Sequence, residues 1–437
     1  MSLTQPYPMP GRGAKLTRWS VLAGAMLAVA GIGLAPEAMA RDGSNPSHWV
    51  ATWSASPQSA SSPAELNGVT TRQIARVSIG GQQVRVRLSN AYGTGSLVIG
   101  AARVARRSTG ASIIAGTDRV LTFNGSPTTT IPPGALAVSD PVNLKVPDLA
   151  DLAVSLYVSG NAVAATEHAV GLQTTYVSAA GDFSGASDLP AARTTQSFYF
   201  LTGVEVVASR QSRAIVTLGD SITDGLNSTA DANKRWPNRL AERLRAQKGA
   251  RKVAVLNAGI SGNRLLRDIQ GTNALARLDR DVLVQSGARY LIVMVGINDI
   301  GYPGSVTAAE IIAGHRQLIE RARAMGFKVY GGTLTPFKGF LPGVYFTPDG
   351  EATRQAVNQW IRTSRAYDAV IDFDKAIRDP GDPAMIRAAY DSGDHLHPND
   401  AGYKAMADAV NLSLFKDVAQ KRVAVKPELG KVECPCK

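Results

Sequence analysis

The stretch from Ala214 to Gly225 reads AIVTLGDSITDG, and it decides how the second half of the chain is read. Ala214 to Leu218 is an apolar run of strand length. Gly219 lets the backbone turn tightly, and Ser221 then stands where a strand gives way to a helix. A serine there is expected to be exposed at a sheet edge. Its N–H would lie near a helix N-terminus, where negative charge is favoured. Alone, Gly219-Asp220-Ser221 is ambiguous, because Asp and Ser also occur at such turns as plain caps. A G-x-S-x-G elbow is ruled out by Thr223.

Working outward, the same texture repeats. Val253 to Leu256, Tyr290 to Val295, Lys328 to Thr333 and Val370 to Phe373 read as four further strands. Arg235 to Gln247 is an amphipathic helix with Trp236, Leu240 and Leu244 on one stripe. Thr307 to Met325 is a long helix closed by Gly326. Gly350 to Ala366 and Ala401 to Phe415 are two more. Alternating strands and helices predict an α/β domain, a parallel sheet with helices on both faces. Ligands bind such sheets beyond the carboxyl ends of the strands.

Upstream, residues 41–207 read as all-β. In QQVRVRL, Val84, Val86 and Leu88 alternate with Arg85 and Arg87, and Leu152, Val154, Leu156 and Val158 repeat the pattern in DLAVSLYVSG. Gly80-Gly81 between two runs is a hairpin signal. Asn90 to Gly93 and Pro132 to Gly134 punctuate others. Short strands at this spacing predict a β-sandwich of jelly-roll type. No Gly/Ser- or Pro-rich linker stands near Ser209, so the two domains are expected to pack together.

The ends read differently. Arg12, Lys15 and Arg18 precede the apolar Val21 to Leu34, and Ala38-Met39-Ala40 is an A-x-A cleavage site. Residues 1–40 are therefore expected to be a cleaved export signal, with a periplasmic or secreted mature protein. No later apolar run is long enough for a membrane helix. The domains expected are thus 1–40, 41–207, 208–417 and a basic tail, 418–437. Among 437 residues, 44% hydrophobic and 19% charged is a globular balance that excludes wholesale disorder. The net charge of +12 is scattered rather than clustered with aromatics, and no nucleic-acid motif accompanies it. Two cysteines, Cys434 and Cys436, exclude a disulfide-built scaffold.

Chemistry-bearing residues fall at strand ends. After the second strand comes Asn257 to Asn263 (NAGISGN), where Gly262 would let a loop N–H approach a reacting oxygen. After the third comes Gly296 to Asp299 (GIND), where Asn298 is either an amide donor at the sheet edge or a helix cap. Near the C-terminus stands Asp391 to Pro398 (DSGDHLHP). The three-residue spacing of Asp394 and His397 lets a carboxylate accept the imidazole Nδ1–H and leaves Nε2 as a base for a serine. His395 and His397 with two aspartates are alternatively a zinc set.

These four segments, in this order, resemble the SGNH subgroup of the GDSL esterases and lipases. The resemblance covers residues 214–415. It implies a flavodoxin-like parallel sheet, with Ser221 as nucleophile, His397 as general base and Asp394 orienting it. It also implies an oxyanion hole of the Ser221 N–H, the Gly262 N–H and the Asn298 side chain. It requires no metal and no organic cofactor, and its substrate is a small-molecule or glycan ester. His48 to Trp53 and Arg72 to Gly93 look like the amino-terminal region of exported two-domain members.

Overall fold

The computed structural model describes residues 48–160, 163–247, 252–301 and 306–416. The expected export signal and the tail with Cys434 and Cys436 lie outside them. No helix among the described residues is long and apolar enough to cross a membrane.

Five parallel strands, Arg213–Gly219, Val253–Gly259, Ala288–Met294, Lys328–Gly332 and Ala369–Ile371, form one sheet. Its spatial order is second, first, third, fourth, fifth, the flavodoxin-like order. Alternation sends successive side chains to opposite faces. Ile215 and Ile292 share a core with Trp236, Leu240 and Met406, whereas Val216 and Val293 pack with Ile311, Leu318 and Val357. The helices Trp236–Ala246 and Asp400–Ala409 thus cover one face, and Ala308–Ala324 and Pro348–Thr363 the other. Gly219 is in register with Gly259 and with Met294, so the first three strands stop level. The segments leaving these strands therefore emerge at one edge, at the point where the strand order reverses.

Local caps set the element ends. Thr307 Oγ1 accepts the Glu310 N–H and the Glu310 carboxylate accepts the Thr307 N–H, a reciprocal cap that contributes about 1 kcal/mol. The fifth strand stops at Ile371, short of the expected Phe373. The Asp372 carboxylate accepts the Lys375 N–H and opens a short helix, Phe373–Ile377. The last helix ends at Ala409 rather than Phe415. The Asn411 side chain takes the Ser413 N–H and starts a separate 3₁₀ turn, Leu412–Phe415.

Before Arg213 every regular element described is a strand. Trp49–Ser54, Leu201–Val207, Gly81–Ser89 and Leu136–Val138 form one antiparallel sheet, joined by Val142–Val146. Val69–Arg76, Asp151–Ser159 and Leu97–Arg106 lie at the centre of a larger one. Val84, Val86 and Leu88 share a single core with Val104, Leu152 and Val154.

The Gly80-Gly81 hairpin is not formed. Val69–Arg76 and Gly81–Ser89 belong to different sheets, and the chain crosses between them. The glycines serve close packing: a Cβ on Gly80 would stand 1.9 Å from Val146 O, and one on Gly81 2.5 Å from Val207 O. Each run alternates correctly for its own sheet, so alternation could not tell a hairpin from a crossing.

The β-rich and α/β halves form one compact unit. Ala51 N–H donates to Ser286 O at 2.9 Å, Ser54 Oγ to Asn257 O at 3.0 Å, and Val255 N–H to Ser78 Oγ at 3.0 Å. The edge strand Trp49–Ser54 thereby packs against the second strand of the parallel sheet.

Candidate active site

The first strand delivers Ser221 onto a one-turn helix, Ser221–Asp224. Asp220 caps it by accepting the Ile222 N–H at 3.0 Å, and Gly225, at φ +101°, closes it by donating to Ser221 O. A Cβ on Gly219 would stand 2.2 Å from Thr223 Oγ1, so the turn needs glycine there. Ser221 is not solvent-exposed as expected. It is 3% exposed, enclosed by the loops that emerge beside it.

Ser221 Oγ lies 2.8 Å from His397 Nε2, and His397 Nδ1–H donates to Asp394 Oδ2 at 2.6 Å. The other Asp394 oxygen accepts the N–H groups of Leu396 and His397, which folds the three-residue turn onto the carboxylate. Asn227 Nδ2 donates to Asp394 Oδ2 at 2.9 Å. Burial alone would raise the Asp394 carboxyl. The bond to His397, its charge and the two N–H donors outweigh burial and hold it well below the usual carboxylate range. His395 is separate: it sits at φ +68°, and its Nδ1–H donates to Asp391 at 2.6 Å. The two histidines are thus held by different aspartates, and it is His397 that meets Ser221.

The second and third strand ends close in alongside. Ile260 N–H donates to Gly219 O, and Gly262 adopts φ +75°, where a Cβ would stand 2.6 Å from Gln270 Cγ. Asn298 lies inside the short helix Ile297–Gly301, not at its cap. Its Nδ2 donates to Asn263 O at 3.0 Å and its Oδ1 accepts the Tyr345 hydroxyl at 2.9 Å, which leaves one amide hydrogen unspent. Asp299 accepts the N–H groups of Leu265 and Leu266, tying this helix to the loop of Gly262. If the spare Asn298 hydrogen meets a developing oxyanion, Asn298→Ala lowers kcat about 10²- to 10³-fold with little change in KM. A loss of stability with kcat retained would show a purely structural amide.

Several residues of this arrangement carry no sequence signal for their place in it. The buried Arg277 donates to Gly219 O, Ala258 O and Asn263 Oδ1 and pairs with Asp281 at 3.0 Å, locking two strand ends together. A lone arginine in the short helix Ala274–Leu278 gives no hint of this role. Tyr345, from a distant loop, and His168, from the end of a strand in the β-rich half, are equally silent. Asp224 stands three residues from Ser221 in the sequence, and that proximity is the one available clue to it.

Asp220 makes a pH prediction. Burial, opposed by the Ile222 N–H and reinforced by the Asp299 charge, pushes its carboxyl up to about 7. As pH rises from the ordinary carboxylate range near ~4 to about 7, the folded chain keeps a proton that the unfolded chain releases. Stability contributed by this group is therefore lost across that window. Asp220→Asn keeps a capping oxygen and removes the penalty, so thermal unfolding should show a stability gain at about pH 8 and little at about pH 4. Equal effects at both values would contradict it.

A doubly wound α/β domain of flavodoxin-like order, with a Ser–His–Asp relay at its switch point, is the class of domain the fold and site define. The GDSL-like lipase/acylhydrolase family model matches residues 217–405, and this part of the chain is a domain of that family. Two solved structures resemble it. A lipase/acylhydrolase from Enterococcus faecalis is 22% identical, covers 45% of this chain and 92% of its own, and has a TM-score of 0.37. An aryl esterase from M. smegmatis is 19% identical, covers 45% of this chain and 95% of its own, and has a TM-score of 0.36. No curated protein matches the chain in sequence.

Proposed function

We propose that the protein is an exported serine esterase that hydrolyses carboxylic esters through an acyl-enzyme. The observation that carries the proposal is the unbroken hydrogen-bonded path from Ser221 Oγ through His397 to Asp394. The family match over residues 217–405 supports it.

The steps follow from the roles. His397 Nε2 takes the Ser221 proton as Oγ attacks the ester carbonyl, and Asp394 stabilises the imidazolium that forms. The N–H groups of Ser221 and Gly262 and the Asn298 amide meet the tetrahedral oxyanion. Neither N–H is spent on a turn or loop backbone hydrogen bond. His397 then protonates the leaving alcohol, water attacks the acyl-enzyme with His397 again as base, and Ser221 is restored. The chemistry requires neither metal nor organic cofactor.

Short acyl groups on a glycan are the proposed substrate, with the β-rich half available to hold the carbohydrate. A lipase or lysophospholipase reading has its own observation. Phe340 stands edge-on to His397 at 6.2 Å between ring centroids, and Leu341 and Val344 are exposed beside it. A panel of acetylated glycans, lysophospholipid, long-chain esters and thioesters separates the two. Highest kcat/KM on acetylated glycans is expected; turnover restricted to lysophospholipid or long-chain esters would favour the second reading.

A further inference from the structure

One buried histidine plays no part in the relay. His168 ends the strand Val163–His168 of the β-rich half and is 7% exposed. Nδ1 lies 3.0 Å from Ser56 O and Nε2 3.0 Å from Asp224 Oδ1. A carbonyl and a carboxylate are both acceptors, whereas a neutral imidazole has a single N–H to donate. Both contacts are satisfied together when the ring carries both protons. Asp224 Oδ2 meanwhile accepts the N–H and the hydroxyl of Ser261, each at 2.9 Å.

Asp224 joins two segments that matter. It is the last residue of the one-turn helix that begins at Ser221, and its N–H donates to Asp220 O at 2.8 Å. Its carboxylate pins Ser261, the neighbour of Gly262. The N–H groups of Ser221 and Gly262 therefore hang on one buried anion. Arg235 and Arg277 add positive field near Asp224, and the Tyr403 hydroxyl, which donates to Leu226 O, feels its charge. Neither arginine bonds it: Arg235 donates to Gly171 O, and Arg277 to strand-end carbonyls, Ser56, Asn263 and Asp281. Glu167, next along the strand, also feels the His168 charge. Burial would lower the His168 pKa, but the charge and bond of Asp224 outweigh burial and Arg235 and raise it.

We propose that His168 is a positioning residue, a buried imidazolium supplied by the β-rich half that fixes, through Asp224, the two backbone donors of the oxyanion hole. The proposal rests on the esterase reading above. It gives the β-rich half a part in the reaction that is independent of any ligand it binds. An anion buried without its partner is strongly unfavourable, so Asp224 shifts when His168 is removed.

The test uses the full chain and p-nitrophenyl acetate. His168→Ala should lower kcat about ten- to hundredfold with KM within about threefold, because displaced donors weaken transition-state binding more than substrate binding. His168→Gln keeps one donor to Asp224 and should regain about threefold or more of that kcat. A folded His168→Ala protein with wild-type kcat, or one whose loss lies in KM, would overturn the proposal. If His168→Ala does not fold, ¹⁵N-imidazole spectra of the wild-type protein decide. Both His168 nitrogens should be protonated at about pH 8, and a neutral ring there would overturn the proposal. Wild-type protein inert toward every ester would refute the esterase reading and with it the positioning role. The ring spectra would then judge the imidazolium alone.

Discussion

Ser221→Ala is expected to give a folded protein whose ester hydrolysis is about 10⁴-fold slower or more. The side chain removed is small, and its hydroxyl bonds His397. Helix entry depends on the Asp220 cap and closure on Gly225, neither of which the substitution touches. What disappears is the oxygen that attacks. The donors that polarise the carbonyl remain, so a residue of rate enhancement over water survives, as in other triads that lose their nucleophile. Steady-state rates on a chromogenic acetyl ester, with unfolding followed in parallel, measure both halves of the expectation. Near wild-type turnover by folded Ser221→Ala would remove Ser221 from the mechanism.

His397→Ala should fall to about the same level, because members of a triad act as a unit. His395→Ala should keep a clearly measurable rate. The sequence segment that holds both histidines does not separate them by composition; the structure does. Asp394 folds the turn so that His397 faces Ser221, while left-handed backbone at His395 turns its ring toward Asp391. Because Asp394 is held ionised well below the usual carboxylate range, loss of activity on mild acidification is not protonation of Asp394. That acid loss should survive in His395→Ala. A dead His395→Ala beside an active His397→Ala, both folded, would move the relay by two residues.

The parallel sheet was legible because its strands are short apolar runs, the first four of them leading into glycine, and its long helices carry an apolar stripe. The four site segments were legible because they fall at ends of the first three strands and in the last loop, where the fold concentrates them. Other features depended on contacts that local sequence does not encode. Gly80-Gly81 reads as a turn but crosses between sheets, because what distinguishes the two is the nearness of Val146 and Val207. Arg277 carries no sequence signal, yet it reaches carbonyls of two strand ends. His168 and Asp224 are 56 residues apart and meet only because the two halves pack together. Ser221 was expected to stand in solvent, since a strand-end turn shows nothing of the loops that later cover it.

The most direct measurement of the central claim is covalent. The intact protein is treated with a serine-directed phosphonate, and the adduct is located by peptide mass spectrometry while residual esterase activity is followed. A single phosphonyl group on Ser221, formed in step with loss of activity and absent from Ser221→Ala, is the predicted result. Undiminished ester hydrolysis with Ser221 fully modified, or inactivation with the adduct elsewhere, would contradict the account.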